Sequence, residues 1–190
     1  MIMAYKGFRK DLSCVSGGNR FEYKQGIWNE EPEANCRQNG FHCAENPLDC
    51  LTYYPCWDNA VYYIVLADGD INEDGNDTKI SCTRMKLVKQ LGLEEFVAHS
   101  LKYISDHPLR KNNSHVHMDY GIALDNFVIV RGKNPKAKGK KGAVLGFVKE
   151  EISSKEIAEV GLYIVDGKEI EENTWYDICG QRYSEEGEIQ

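Results

Sequence analysis

The chain has 190 residues, 42% hydrophobic and 28% charged, with a net charge of −7 at pH 7. That length and balance suit one domain, or one domain with an appended lobe, able to bury a sizeable core. No run approaches the roughly 18 apolar residues of a membrane span, and the start MIMAYKGFRK lacks the basic-then-apolar order of a secretion signal, so a cytoplasmic protein with no membrane partner is expected.

Residues 2–8 alternate and read as an opening strand, followed by a Gly-Gly-Asn turn at 17–19 and a short strand at 21–24. Asn46 and Pro47 start a short helix, asparagine as the cap and proline at the first helical position. Residues 60–67 (AVYYIVLA) are the clearest strand, dense in β-branched and aromatic side chains. Thr78 then caps a helix running to Leu91, broken at Gly92. A second helix spans 93–106, with Leu93, Phe96, Val97, Leu101 and Ile104 on one face.

Beyond residue 112 the pattern changes. Gly132, Gly139 and Gly146 fall seven residues apart, with small or β-branched residues between them. Glycine recurring between short β-prone runs marks the tight corners of a solenoid. Strands are expected near 143–149, 160–166 and 174–179, with a turn at Asp166-Gly167. The expected fold class is therefore α+β: an N-terminal mixed sheet with short helices, a central helix pair, a short glycine-cornered β-solenoid-like segment and C-terminal strands. Residues 1–110 form the α+β core, and residues 111–190 pack on it as part of one unit.

Charge is unevenly spread. The stretch from Asp68 to Asp77 is an acidic turn holding Asp68, Asp70, Asp74 and Asp77. Against it, Arg131, Lys133, Lys136, Lys138, Lys140 and Lys141 form a run of six cations with no acid between them. Set on a glycine-cornered edge, that run makes a basic stripe able to meet phosphates. With no aromatic interleaved, it offers sequence-independent contact at most, and it serves equally well to keep an edge soluble.

No metal is assigned. Asp70, Asn72, Asp74 and Gly75 echo a calcium loop, but the twelfth position is Ser81 and not a bidentate carboxylate. Among the seven cysteines, Cys36, Cys43, Cys50 and Cys56 recur every six or seven residues. Structural zinc sites pair ligands two to four residues apart, so these read as buried thiols, reduced in the cytosol. His42 beside Cys43 is not a nucleophilic pair, because neighbours in a strand face opposite ways. No catalytic residue and no cofactor is assigned.

The strings AYKGF at 4–8, GFHCAENPLD at 40–49, GKNPKAKG at 132–139, VDGKEI at 165–170 and TWY at 174–176 resemble a family of small phage and prophage proteins. In many relatives of that kind a run of glycine- and alanine-rich coils, similar to the β-roll of adhesin heads, stands where this chain has residues 112–142. The resemblance implies a phage or mobile-element accessory protein in the bacterial host cytoplasm. Together with the small size, the charge poles and the lack of a catalytic constellation, it leads to the expectation that the protein binds a host protein or ribonucleoprotein, in the most concrete form as a counter-defence inhibitor such as an anti-CRISPR. Self-assembly as a phage structural accessory is a further implied role.

A second resemblance is to the ADP-ribosyltransferase core. It implies an NAD-using enzyme, with Lys6 on the first strand where that core carries His or Arg, and Tyr53 or Tyr54 at the second position. For the late glutamate no single residue stands out, and without one the developing oxocarbenium charge goes unstabilised.

Overall fold

The computed structural model describes residues 1–16, 19–73, 75, 77–151 and 153–183. It divides into two compact units, Met1–Gly92 and Leu93–Gln190.

The first unit opens with β1 (Ile2–Arg9), a hairpin of β2 (Ser13–Ser16) and β3 (Asn19–Glu22), then β4 (Trp28–Glu30) and β5 (Phe41–Ala44). 3-10 helices at Pro47–Thr52 and Trp57–Asn59 lead to the long strands β6 (Ala60–Glu73) and β7 (Lys79–Leu91). β1 pairs with β6, β6 with β7, β7 with β5 and β5 with β1, all antiparallel, so the pairings close on themselves. Inside lie Ala4, Phe8, Phe41, Cys43, Val65 and Met85 among others. Strand side chains alternate between faces, so Lys6 shares the inward face of Ala4 and Phe8. The short helix expected from Asn46-Pro47 is a 3-10 helix at Pro47–Thr52: the Asn46 side chain accepts the Leu48 N–H at 3.1 Å, with Pro47 in the first turn.

The second unit opens with α1 (Leu93–Asp106), burying Phe96, Val97, Leu101 and Ile104. Then come β8 (Val116–Ala123), β9 (Phe127–Gly139), β10 (Val144–Glu150), β11 (Ile157–Ile164), β12 (Trp175–Asp177) and β13 (Arg182–Tyr183). β8, β9 and β10 are parallel neighbours. Such neighbours usually need a crossover of a dozen residues or more, yet only residues 124–126 and 140–143 intervene here. The chain manages this by turning within the strands. β8 bends at Asp119, whose φ is 62°, and its pairing slips there, Val116 opposite Ile129 but Tyr120 opposite Lys136. Gly132 lies beneath Asp119, where a side chain would collide with the aspartate. Gly146 lets α1 approach: a Cβ there would sit 3.1 Å from both Ile129 and Val97. A second core of Val130, Ala137, Leu145, Phe147, Val165 and Tyr176 fills this unit.

The expected α+β class with a central helix pair is overturned, because the fold is predominantly β. Among the described residues α1 is the one α-helix, and the N-terminal sheet is antiparallel throughout, not mixed. The segment expected as a helix from Thr78 to Leu91 is β7. Ile80 and Cys82 face inward, then Met85 and Leu87, the phase slipping opposite a bulge at Asp68–Ile71 in β6. That slip gives intervals of three as well as two, which read as helical in the sequence. β-branched Ile80, Thr83 and Val88 favour the extended form, and strands on both sides supply its ladder. Thr78 caps nothing; its hydroxyl donates to Asp49 Oδ2 at 2.6 Å and accepts from the Asn46 N–H at 2.9 Å.

Candidate functional site

The first unit carries an open cleft of about 600 Å³, within the size range of small-ligand pockets. β1 contributes Tyr5, Lys6, Gly7 and Arg9, and β5 contributes His42 and Cys43. The turns beside β5 add Arg37, Asp49, Cys50, Tyr53 and Tyr54, and β7 adds Lys79. Gly7 is needed where it stands: a Cβ there would lie 2.7 Å from the Tyr54 ring.

Lys6 is 7% exposed. Its Nζ donates to the His42 carbonyl at 2.6 Å and lies 5.4 and 5.3 Å from the Phe8 and Tyr23 ring centres. A carbonyl and two ring faces ease the burial of an ammonium, and among the described residues no carboxylate pairs with it. Lys79 Nζ stands 3.9 Å over the Tyr53 ring. Arg37 Nη1 donates to the Tyr53 hydroxyl at 3.3 Å, and Nη2 pairs with Asp77 at 3.0 Å. Arg9 is exposed at the end of β1. Among the described lining residues the one carboxylate is Asp49, which accepts from both Thr78 N and Oγ1. The cleft is therefore cationic within a chain whose net charge is −7.

The titrating groups agree. Burial, then Lys79 and Lys6, hold His42 down at about 4, so its ring is neutral at pH 7 and Nε2 accepts the Arg37 N–H at 2.8 Å. That bond fixes the loop presenting the Arg37 side chain. Burial pushes the Cys50 thiol and the Tyr54 phenol up to about 12. The Cys43 thiol is raised by its hydrogen bond with Cys82 and by burial. Cys43 and Cys50 thus stay protonated at neutral pH and are not poised as nucleophiles.

The residues singled out in the sequence fall elsewhere. Arg131 is 3% exposed. It pairs with Glu150 at 2.7 Å and donates to Asn112 Oδ1 at 2.9 Å and the Pro108 carbonyl at 2.6 Å, so it is an internal strut and not part of a solvated stripe. Lys136 is 5% exposed beneath the Tyr183 ring. Lys133, Lys140 and Lys141 are exposed, Lys140 within 3.9 Å of Asp125, and Lys138 is half-buried over Trp175. The acidic stretch is largely strand: Asp68 and Asp70 lie in β6. Asp68 pairs with Arg84 and the chain N-terminus, while Asp77 pairs with Arg37. Asp74 lies outside the described residues. Asn72 accepts the Cys36 N–H at 2.9 Å, so it serves a turn. Among the described residues no three His, Cys, Asp or Glu side chains are grouped as metal ligands, and no helix is long and apolar enough to cross a membrane.

The family described as "Domain of unknown function (DUF7666)" matches residues 2–99. The chain belongs to that family. Its matched span contains every residue lining the cleft. No curated protein and no solved structure matches the chain.

Arg9, Arg37 and Lys79 were not distinguishable in the sequence, because they converge from β1, the loop before β5 and β7. Lys6 did leave a signal. It sits between Ala4 and Phe8 on the inward parity of a strand, where an unpaired lysine is out of place.

Proposed function

We propose that the first unit binds a phosphorylated small molecule in its cleft and holds it without turning it over. The observation that carries this reading is the convergence of Lys6, Arg9, Arg37 and Lys79 on one concavity whose single lining carboxylate is engaged by Thr78. Such a surplus of cations, part of it in a partly desolvated mouth, is stabilised by an incoming anion. Tyr53 and Tyr54 at the rim provide ring surface for a base or another planar group.

The binding role accords with the accessory-protein reading, in which the protein acts by capture. It shifts the capture from the charged segments to the cleft. Lys6, Tyr53 and Tyr54 do line one cleft, which makes NAD a ligand worth testing. ADP-ribosyl transfer has weaker support: among the described lining residues the one carboxylate, Asp49, is committed to Thr78 and not aimed at a ribose.

Calorimetric titration with inorganic pyrophosphate, ADP-ribose, NAD and ATP tests the proposal. At least one binds, and more weakly as salt rises. Lys6→Met keeps the aliphatic stem and removes the charge, and is expected to weaken binding about tenfold or more, since hydrogen bonds to charged groups are worth about 1.5–3 kcal/mol. No binding to any of the four at low salt, or undiminished affinity in Lys6→Met, would overturn the reading. Nicotinamide release from NAD at a rate abolished by Tyr54→Phe would replace it with an enzymatic one.

A further inference from the structure

In the second unit the latter half of β9 is flanked by β8 on one side and β12 on the other, with β13 beyond β12. Gly121, Ala137 and Tyr176 turn inward, the last two into the core. The alternation of strand side chains therefore places Tyr120, Ile122, Lys136, Lys138, Trp175 and Tyr183 on the outer face. There Lys138 Nζ lies 4.6 Å from the Trp175 ring centre, and Lys136 Nζ lies 3.1 Å from that of Tyr183 and 5.6 Å from that of Tyr120. Tyr120 meets Trp175 edge-on at 5.9 Å. Tyr120 and Ile122 are 54% and 45% exposed, and the exposed Lys140 and Lys141 follow directly at the end of β9.

The sequence offered lysines with no aromatic between them. Folding inserts the rings, from β8, β12 and β13. We propose that this face binds single-stranded nucleic acid, bases stacking on Tyr120 and Trp175 while Lys138, Lys140 and Lys141 meet the phosphates. The pairing of the two residue types selects the occupant. An acidic protein would use the lysines without needing the rings, and a neutral sugar the rings without the lysines. A duplex keeps its base faces stacked away from a sheet. Lys138 rests on Trp175, and an incoming base takes its place on the ring while the freed ammonium turns to a phosphate. Lys136 stays beneath Tyr183 and Tyr120 and sets the ring positions.

Fluorescence anisotropy with labelled oligothymidylate and oligouridylate of about 12 nucleotides, read between about 50 mM and 200 mM salt, tests this. Binding is expected at the lower salt, falling as salt rises. Lys138→Gln, Lys140→Gln and Lys141→Gln together flatten the salt dependence. Tyr120→Leu, at a ring that is 54% exposed, weakens binding about fivefold or more at both salts, and Trp175→Leu does the same, each with its fold checked by circular dichroism. No binding to either oligonucleotide, full affinity in Tyr120→Leu, or equal binding of polyglutamate or of a duplex of the same length would each overturn the proposal.

Discussion

Arg131 and His42 show how far a single side chain's role depends on what folds around it. Arg131 is sealed against Glu150, Asn112 and the Pro108 carbonyl, tying the stretch after α1 to β9 and β10. Removing one partner of a buried ion pair leaves the other charged and unsolvated, at a cost of about 3–5 kcal/mol, a large share of a domain's usual 5–15 kcal/mol, roughly speaking. Arg131→Ala is expected to lower the urea midpoint accordingly, whereas Lys133→Ala, at an exposed position, moves it hardly at all. His42 couples the cleft to pH. Its folded pKa of about 4 lies below the usual 6.5, so between those values the unfolded chain binds the extra proton and stability falls as the pH is lowered. The stabilisation is complete above about 6.5 and lost as pH falls through about 4. His42→Gln, whose side-chain oxygen can still accept the Arg37 N–H, is expected to flatten the thermal midpoint across that window; an unchanged slope would assign it to other groups.

At the scale of elements, local signals were legible where one element satisfied itself. The stripe of α1 falls at Leu93–Asp106, and the β-branched run from Ala60 opens β6. They failed at β7, whose inward residues change phase opposite the bulge of β6. Gly69 marks that bulge with φ of 77° against Thr83, but a glycine among aspartates reads as a turn. The three glycines spaced at seven are not corners but points of close approach: Gly132 admits the Asp119 side chain, Gly139 admits Ala123 and Ala143, and Gly146 admits Ile129 and Val97. Pairing partners in the coils lie further apart, Val116 with Ile129 and Phe127 with Val144. Element geometry also makes the nucleic-acid proposal energetically reasonable. An exposed cation–π contact is worth about 0.5–1 kcal/mol and a stacked base about 1–3 kcal/mol, so displacing Lys138 from Trp175 is favourable.

At the scale of the whole molecule, each unit has its own core, one within the ring of β1, β6, β7 and β5 and the other around β9 and β10. Unfolding is expected to depart from two-state behaviour, with a calorimetric enthalpy above the van't Hoff value. Arg131→Ala should lower one transition, and acidification toward pH 4 the other. A single transition shifted by both would show that the chain unfolds as one cooperative block. The charge distribution works at this scale too: an anion must reach the cleft of a chain with net charge −7, so local cations and not the net field hold it, and binding is expected to be short-ranged.

By itself the sequence determined what depends on neighbours along the chain. The first strand, the short helix capped by Asn46 with Pro47 and the stripe of α1 follow from backbone propensity, capping and periodicity, which act over a few residues. Tertiary structure alone decided the rest. It converted an expected helix to β7 by giving it partners on both sides, and it buried Arg131 and Lys136 out of a supposed surface stripe. It brought Arg9, Arg37 and Lys79 around Lys6, and set Tyr120 and Trp175 beside the lysines of β9. These are meetings of residues distant in the chain, settled by register and packing, and no local pattern records them.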